Sequence, residues 1–219
     1  MSTAIDHLVV AAETLEQGVD YIQHTLGVDI PTGGVHPKMG THNRLMQLGD
    51  ALFLEVIAIN PNAPAPKQPR WFGLDDAYVR RSLEDGPALL TWVVNTDNIK
   101  SLMQKTSFDF GRPEPISRGN LEWYFGLPDD GRLLAGGMLP YIIEWQTDQH
   151  PARNMEDKGC KLERLTLYHP YAAWLKHLLE SIDIAHQVSI ESLPENDTPY
   201  MLALIETPGG VKELRSSAG

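Results

Sequence analysis

A single cysteine in 219 residues, Cys160, excludes an intrachain disulfide. The start of the chain lacks a basic segment followed by an apolar run, so no export signal is read there and a reducing cytoplasm is the expected compartment. No apolar stretch approaches the roughly 20 residues needed to span a bilayer, so no membrane partner is expected. Positive charge is scarce as well: 18 Lys and Arg stand against 29 Asp and Glu, giving a formal net charge of −11 at pH 7. Nucleic acids and anionic membranes are held by clustered Lys and Arg, so this balance argues against both and leaves a small molecule or a cation as partner. Acidity alone also keeps proteins dispersed, so the informative carboxylates are those inside apolar strands.

What the chain does have is a repeat. Ile5-Asp6-His7-Leu8-Val9-Val10 is followed by Phe53-Leu54-Glu55-Val56-Ile57, and Leu89-Leu90-Thr91-Trp92-Val93-Val94 is followed by Tyr141-Ile142-Ile143-Glu144-Trp145. The separations nearly agree, 48 residues from His7 to Glu55 and 53 from Thr91 to Glu144. Between the strands of the first copy, Thr14 and Gln17 form a capping-box pattern, Leu15, Val19, Ile22 and Leu26 share a helical face, and Gly27 supplies a terminus. A strand near Gly34 to Pro37 and a hairpin of 41–48 with 51–59 complete a β-α-β-β-β order over residues 1–60.

Pro61, Pro64, Pro66 and Pro69 break regular structure, which makes 61–87 a connection that includes an aromatic docking segment and a short helix near 76–83. The second module spans 88–150, with a helix capped by Asp97 and later strands at 121–126 and 133–145. Residues 160–219 echo the pattern as a partial βαββ module that extends or covers the sheet. Gly33-Gly34 and Gly136-Gly137 read as turn signals, and His36 and His150, each beside a proline, as turn residues for which solvent exposure is preferred over a place at a cavity rim.

Strand alternation places His7 among Ile5 and Val9, and Glu55 among Phe53 and Ile57. A carboxylate on an apolar face is costly unless a cation or strong donors satisfy it. A metal would solve that for Glu55 and Glu144. His42 and Arg44, two apart on one strand, are candidates to face a hollow and orient an anionic group, although Arg44 pairing on the surface and His42 capping a turn are equally good readings. Trp123 and Trp145 are candidates to line a cavity, against ordinary core packing.

The duplicated βαβββ order with His7, Glu55 and Glu144, together with Gly40-Thr41-His42-Asn43-Arg44-Leu45, resembles the vicinal oxygen chelate superfamily and its glyoxalase-like domain members, over roughly residues 3–150. The resemblance implies an α+β fold in which the two modules form a curved, incomplete β-barrel around a metal. It implies His7, Glu55 and Glu144 as three of four ligands, with Thr91 where a second His is common. A hydroxyl is a poor ligand for Zn²⁺, so the site would be an open three-ligand centre or a relic. One His with two carboxylates departs from the two-His-one-carboxylate triad, which disfavours dioxygenase chemistry and leaves Zn, Ni, Co, Mn or Mg open.

The implied function is a metal-dependent enzyme of lyase, isomerase or hydrolase type, polarising a small oxygenated metabolite, with Glu144 preferred over Glu55 as base and His42, Arg44 and Trp123 binding substrate. The rival is a non-catalytic protein that sequesters a small molecule without metal. Thr91 favours the rival, and the repeated Glu favours the enzyme. A homodimer is the assembly the superfamily suggests.

Overall fold

The computed structural model describes residues 2–147 and 149–217. Strand β1 (Thr3–Ala11) is buried along nearly its whole length and leads into helix α1 (Leu15–Leu26). The Thr14 and Gln17 capping box is formed, and Gly27 closes the helix at φ 72°, in the left-handed region that glycine enters without strain. Leu15, Ile22 and Leu26 turn inward, and Gly18 lets the helix approach the Val56 side chain so closely that a Cβ there would collide with it. Strands β2 (Thr32–His36), β3 (Thr41–Gly49) and β4 (Leu52–Ile59) follow.

After the connection and helix α2 (Ala77–Glu84), the second copy runs β5 (Ala88–Thr96), α3 (Ile99–Gln104), β6 (Arg112–Arg118), β7 (Leu121–Leu127) and β8 (Tyr141–Trp145). Helix α3 is capped by Asn98, whose side chain accepts from the Ser101 N–H, rather than by Asp97. The stretch expected as one long strand from Leu133 begins as a 3-10 turn at Leu134–Gly137, where Ala135 and Gly136 take positive φ, and only Tyr141–Trp145 is extended. Strand β6 was not expected. Pro113 and Pro115 argue against a strand interior, but β6 is the sheet edge and pairs only with β7, so the missing N–H groups cost little.

These strands make one eight-stranded sheet in the order β2-β3-β4-β1-β5-β8-β7-β6. At its centre β1 and β5 run antiparallel with His7 opposite Val93. Each is flanked by the last strand of its own module in parallel, His7 against Phe53 and Val93 against Tyr141. The fold is the curved, open α+β sheet of paired βαβββ modules.

The tail forms β9 (Lys161–His169), α4 (Ala172–Ser181), β10 (Ser189–Ser192), β11 (Tyr200–Thr207) and β12 (Gly210–Arg215), a separate four-stranded sheet in the order β10-β9-β11-β12. It has one strand more than the expected βαββ, and its wiring differs: β9 takes the strand just after the helix as parallel partner, not the last one. Gln187 ties it to β1 by accepting from the Ile5 N–H and donating to the Thr3 carbonyl. Among the described residues no helix is long and apolar enough to cross a membrane.

Candidate functional site

The concave side of the sheet holds a hollow lined by His7, His36, Asn43, Leu45, Phe53, Glu55, Trp71, Phe72, Arg118, Trp123, Phe125, Ile143, Trp145, Pro151 and Met155. Its polar side comes from module one, joined by Arg118 of β6. A register shift in β1 between Ile5 and His7 is the kind of bulge that re-aims consecutive side chains, and here it brings Asp6 and His7 together. Asp6 Oδ1 lies 2.6 Å from His7 Nδ1, and the His7 ring stacks on Phe53 with centroids 4.4 Å apart. His7 Nε2 is 3.6 Å from Glu55 Oε2, while Glu55 Oε1 accepts from Asn43 Nδ2 at 2.6 Å.

Asp6 is fully buried and is the hub. Its second oxygen accepts from Trp145 Nε1 at 2.7 Å and Asn95 Nδ2 at 3.1 Å, and lies 2.8 Å from His150 Nε2. Burial pushes this carboxyl up, but the hydrogen bonds from His150 and His7 outweigh it and hold the group well below the usual carboxylate range. An ionised Asp6 can only accept, so His7 bonds it through Nδ1–H and turns Nε2 to Glu55.

On the far side of Asn43, Arg118 donates from Nη1 to Asn43 Oδ1 and to His36 Nε2, each at 3.2 Å. Burial, then the Arg118 charge, and then His7 and His42 push the His36 pKa down to about 3. His36 is therefore neutral at pH 7, accepting at Nε2, with Nδ1 3.1 Å from Thr41 Oγ1. Asn43 Oδ1 also accepts from the Gly34 N–H at 2.8 Å. Gly33 is required there, because a Cβ would run into the carbonyl and side-chain oxygens of Asn43.

Apart from Arg118, module two lines the hollow with apolar side chains. The pairings across β1–β5 and within each module set Val93 in the place of His7, Tyr141 in that of Phe53, and Ile143 in that of Glu55. Phe125 opposes Ile143 as Leu45 opposes Glu55, and Trp123 and Trp145 face each other with centroids 5.3 Å apart.

Of the residues expected to form one site, the structure brings together His7, Glu55 and Trp123, and leaves out Glu144, His42, Arg44 and Thr91. Glu144 alternates to the face opposite Ile143 and Trp145, where Oε2 accepts from the Ile99 N–H at 2.8 Å at the start of α3 and Oε1 accepts from Gln146. The donors that a carboxylate in an apolar strand needs are thus supplied by a helix N-terminus. Likewise, the alternation that brings Asn43 and Leu45 to the hollow turns His42 and Arg44 away. Burial lowers the His42 pKa, and its charged neighbours are Glu16 of α1 and Arg44. Thr91 is fully buried, opposite Val9, and its hydroxyl has no hydrogen-bond partner among the described residues.

Sequence reasoning missed Asp6, Asn43 and Arg118, and preferred solvent exposure to a cavity rim for His36 and His150. Asp6 sits beside His7 in the repeat, and the Gly33-Gly34 pair marks the close approach to Asn43. His36 and His150, expected to be exposed, are drawn in by Trp71 and by Asp6. Pro151 and Met155 follow His150 across the rim of the hollow, where Gln47 Nε2 donates to the Ala152 carbonyl.

Among the described residues His7, His36 and Glu55 are the metal-binding types that line the hollow, but His36 Nε2 accepts from Arg118, and the donor set does not fit a three-ligand centre. The matching positions of module two are Val93 and Ile143, and a guanidinium shares the same hollow. Among the described residues no group of three His, Cys, Asp or Glu side chains is arranged to hold a metal.

Comparison with known proteins adds the following. A hypothetical protein from Staphylococcus aureus superposes with a TM-score of 0.58 at 16% identity, covering 100% of this chain and 87% of that one. A methylmalonyl-CoA epimerase from Streptomyces coelicolor gives 0.44 at 18% identity over 69% of this chain and 100% of its own, and one from Mycobacterium tuberculosis 0.39 at 15% over 64% and 85%. At 16% identity the likeness to the first of these concerns the fold alone. No curated protein matches the chain by sequence. The model of a family described as a glyoxalase-like domain matches residues 5–182.

Proposed function

The chain belongs to the glyoxalase-like domain family, and from that premise we propose that it is an enzyme that moves a proton on a small oxygenated metabolite, with His7 as general base. The observation that carries this reading is the His7 imidazole, bonded through Nδ1 to buried Asp6 at 2.6 Å and presenting Nε2 to the hollow beside Glu55. A carboxylate behind an imidazole fixes its tautomer and stabilises the imidazolium that forms when Nε2 takes a proton.

The step is reversible proton transfer at a carbon next to a carbonyl. His7 Nε2 removes the proton from that carbon, the C–H electron pair moves to form the enolate, and the negative charge resides on the carbonyl oxygen. Return of the proton to carbon completes the exchange. Glu55, fixed by Asn43, faces the imidazolium at 3.6 Å and offsets its charge. Trp71, Trp123, Phe125 and Trp145 exclude water from the hollow, which strengthens both interactions. No step passes through a metal.

The module-two wall, apolar except for Arg118, favours a second reading, a protein that holds such a molecule without converting it.

The test is solvent exchange. A panel of small carbonyl compounds, charged and neutral, is incubated with the protein in D₂O, and loss of the proton signal next to the carbonyl is followed by NMR. Exchange above the blank that disappears in His7→Asn supports the enzyme. Binding of panel members with no exchange for any of them supports the sequestering reading, and undiminished exchange in His7→Asn refutes the role of His7.

A further inference from the structure

Arg118 is half-buried at the hollow, and among the described residues both hydrogen bonds of its guanidinium run from one nitrogen, Nη1, to neutral acceptors. Among the described residues no carboxylate lies within ion-pair distance of it, although the chain carries a large excess of Asp and Glu. The cheapest partner for a guanidinium withdrawn from water is a carboxylate, and fold stability alone would favour one here. Asn43 and neutral His36 instead aim the group and leave its charge uncancelled. Gly34 belongs to the same construction, since a Cβ there would press on Arg118 Cδ at 3.2 Å and on the guanidinium at 3.3 Å.

We propose that Arg118 is the specificity-determining residue of the hollow, and that it selects a ligand carrying a carboxylate on a flat or branched apolar body. The carboxylate completes the guanidinium with a charge-assisted pair at the edge that Asn43 and His36 leave open. The body lies against Trp123, Phe125 and Trp145, on the module-two side, where no polar group would be stranded. This inference rests on the reading of the hollow as a substrate site, but not on any chemistry at His7.

The test uses two unreactive probes of one shape, phenylacetate and phenylacetamide, titrated into the full chain by calorimetry with tryptophan fluorescence as a second readout. The wild type is expected to bind phenylacetate at least tenfold more tightly. Arg118→Gln is expected to abolish that preference while still binding the amide, and Arg118→Lys to keep part of it. Near-ultraviolet circular dichroism checks that each variant is folded. His7→Asn is expected to retain the preference, which separates this inference from the proton chemistry. Equal affinity of the wild type for the two probes, no binding of either, or a preference that survives in Arg118→Gln would each overturn the assignment.

Discussion

Acid should loosen this protein in a way that can be traced to one imidazole. His36 is buried against Trp71, and its pKa falls from the ordinary 6.5 to about 3, first through burial and then through the Arg118 charge beside it. In the unfolded chain it takes a proton as the pH drops through about 6.5, whereas the folded protein withholds that proton until about pH 3. For a histidine depressed in this way the unfolded state binds more protons throughout the interval, so stability falls as pH falls. The loss is about 1.4 kcal/mol per pH unit, or about 2 kcal/mol between pH 7 and pH 5 and about 4–5 kcal/mol by pH 3. Asp6 adds to the acid limb: its depressed carboxyl gives stability that is present above about pH 4 and disappears as pH falls towards its folded value. His36→Gln isolates the imidazole, because glutamine can still accept from Arg118 but does not titrate. Urea unfolding followed by tryptophan fluorescence at pH 7, 6 and 5 should show the wild type losing about 2 kcal/mol more than the variant across that range. Parallel pH profiles would refute the claim that His36 is held neutral and, with it, the account of how Arg118 keeps its charge.

Other consequences follow from single contacts. Asp6→Asn removes the anchor of the His7 tautomer and should cut proton exchange by about a hundredfold or more, measured as D₂O incorporation in a protein that remains folded. Glu144→Ala strips the acceptor from the Ile99 N–H and should cost about 1–2 kcal/mol in urea titration, with ligand affinity unchanged because its side chain lies on the other face of β8. Gly33→Ala forces β2 away from Asn43 and should destabilise by about 1–3 kcal/mol while weakening carboxylate binding. His150→Ala frees the segment that carries Pro151 and Met155 over the rim, so limited proteolysis should speed up within 149–155.

The sequence disclosed the modules because their signals are local. The capping box at Thr14, the terminus at Gly27 and the alternating hairpin of β3 and β4 each depend on neighbours in the chain. It disclosed only half of the site because register is not local. Lining up Thr91 with His7 and Glu144 with Glu55 kept the residue types plausible, but the paired strands match Val93 and Ile143 to those positions, and a shift of one residue moved Glu144 to the opposite face. His42 and Arg44 failed by the same parity, with Asn43 between them the residue that reaches inward. Arg118 was invisible because its strand carries two prolines and looks like a loop until β7 pairs with it. Asp6 was overlooked because alternation assigns it to the face opposite His7, and only the bulge in β1 overrides that.

The central claim is that an imidazole set by Asp6, and not a bound ion, moves the proton. Exchange measured in D₂O on chelator-treated wild type and His7→Asn, with and without added Zn²⁺, Mn²⁺ or Ni²⁺, tests it most directly. The account predicts exchange by the chelated wild type that added metal does not raise and that His7→Asn abolishes. Exchange that vanishes on chelation and returns with one of the metals would contradict it.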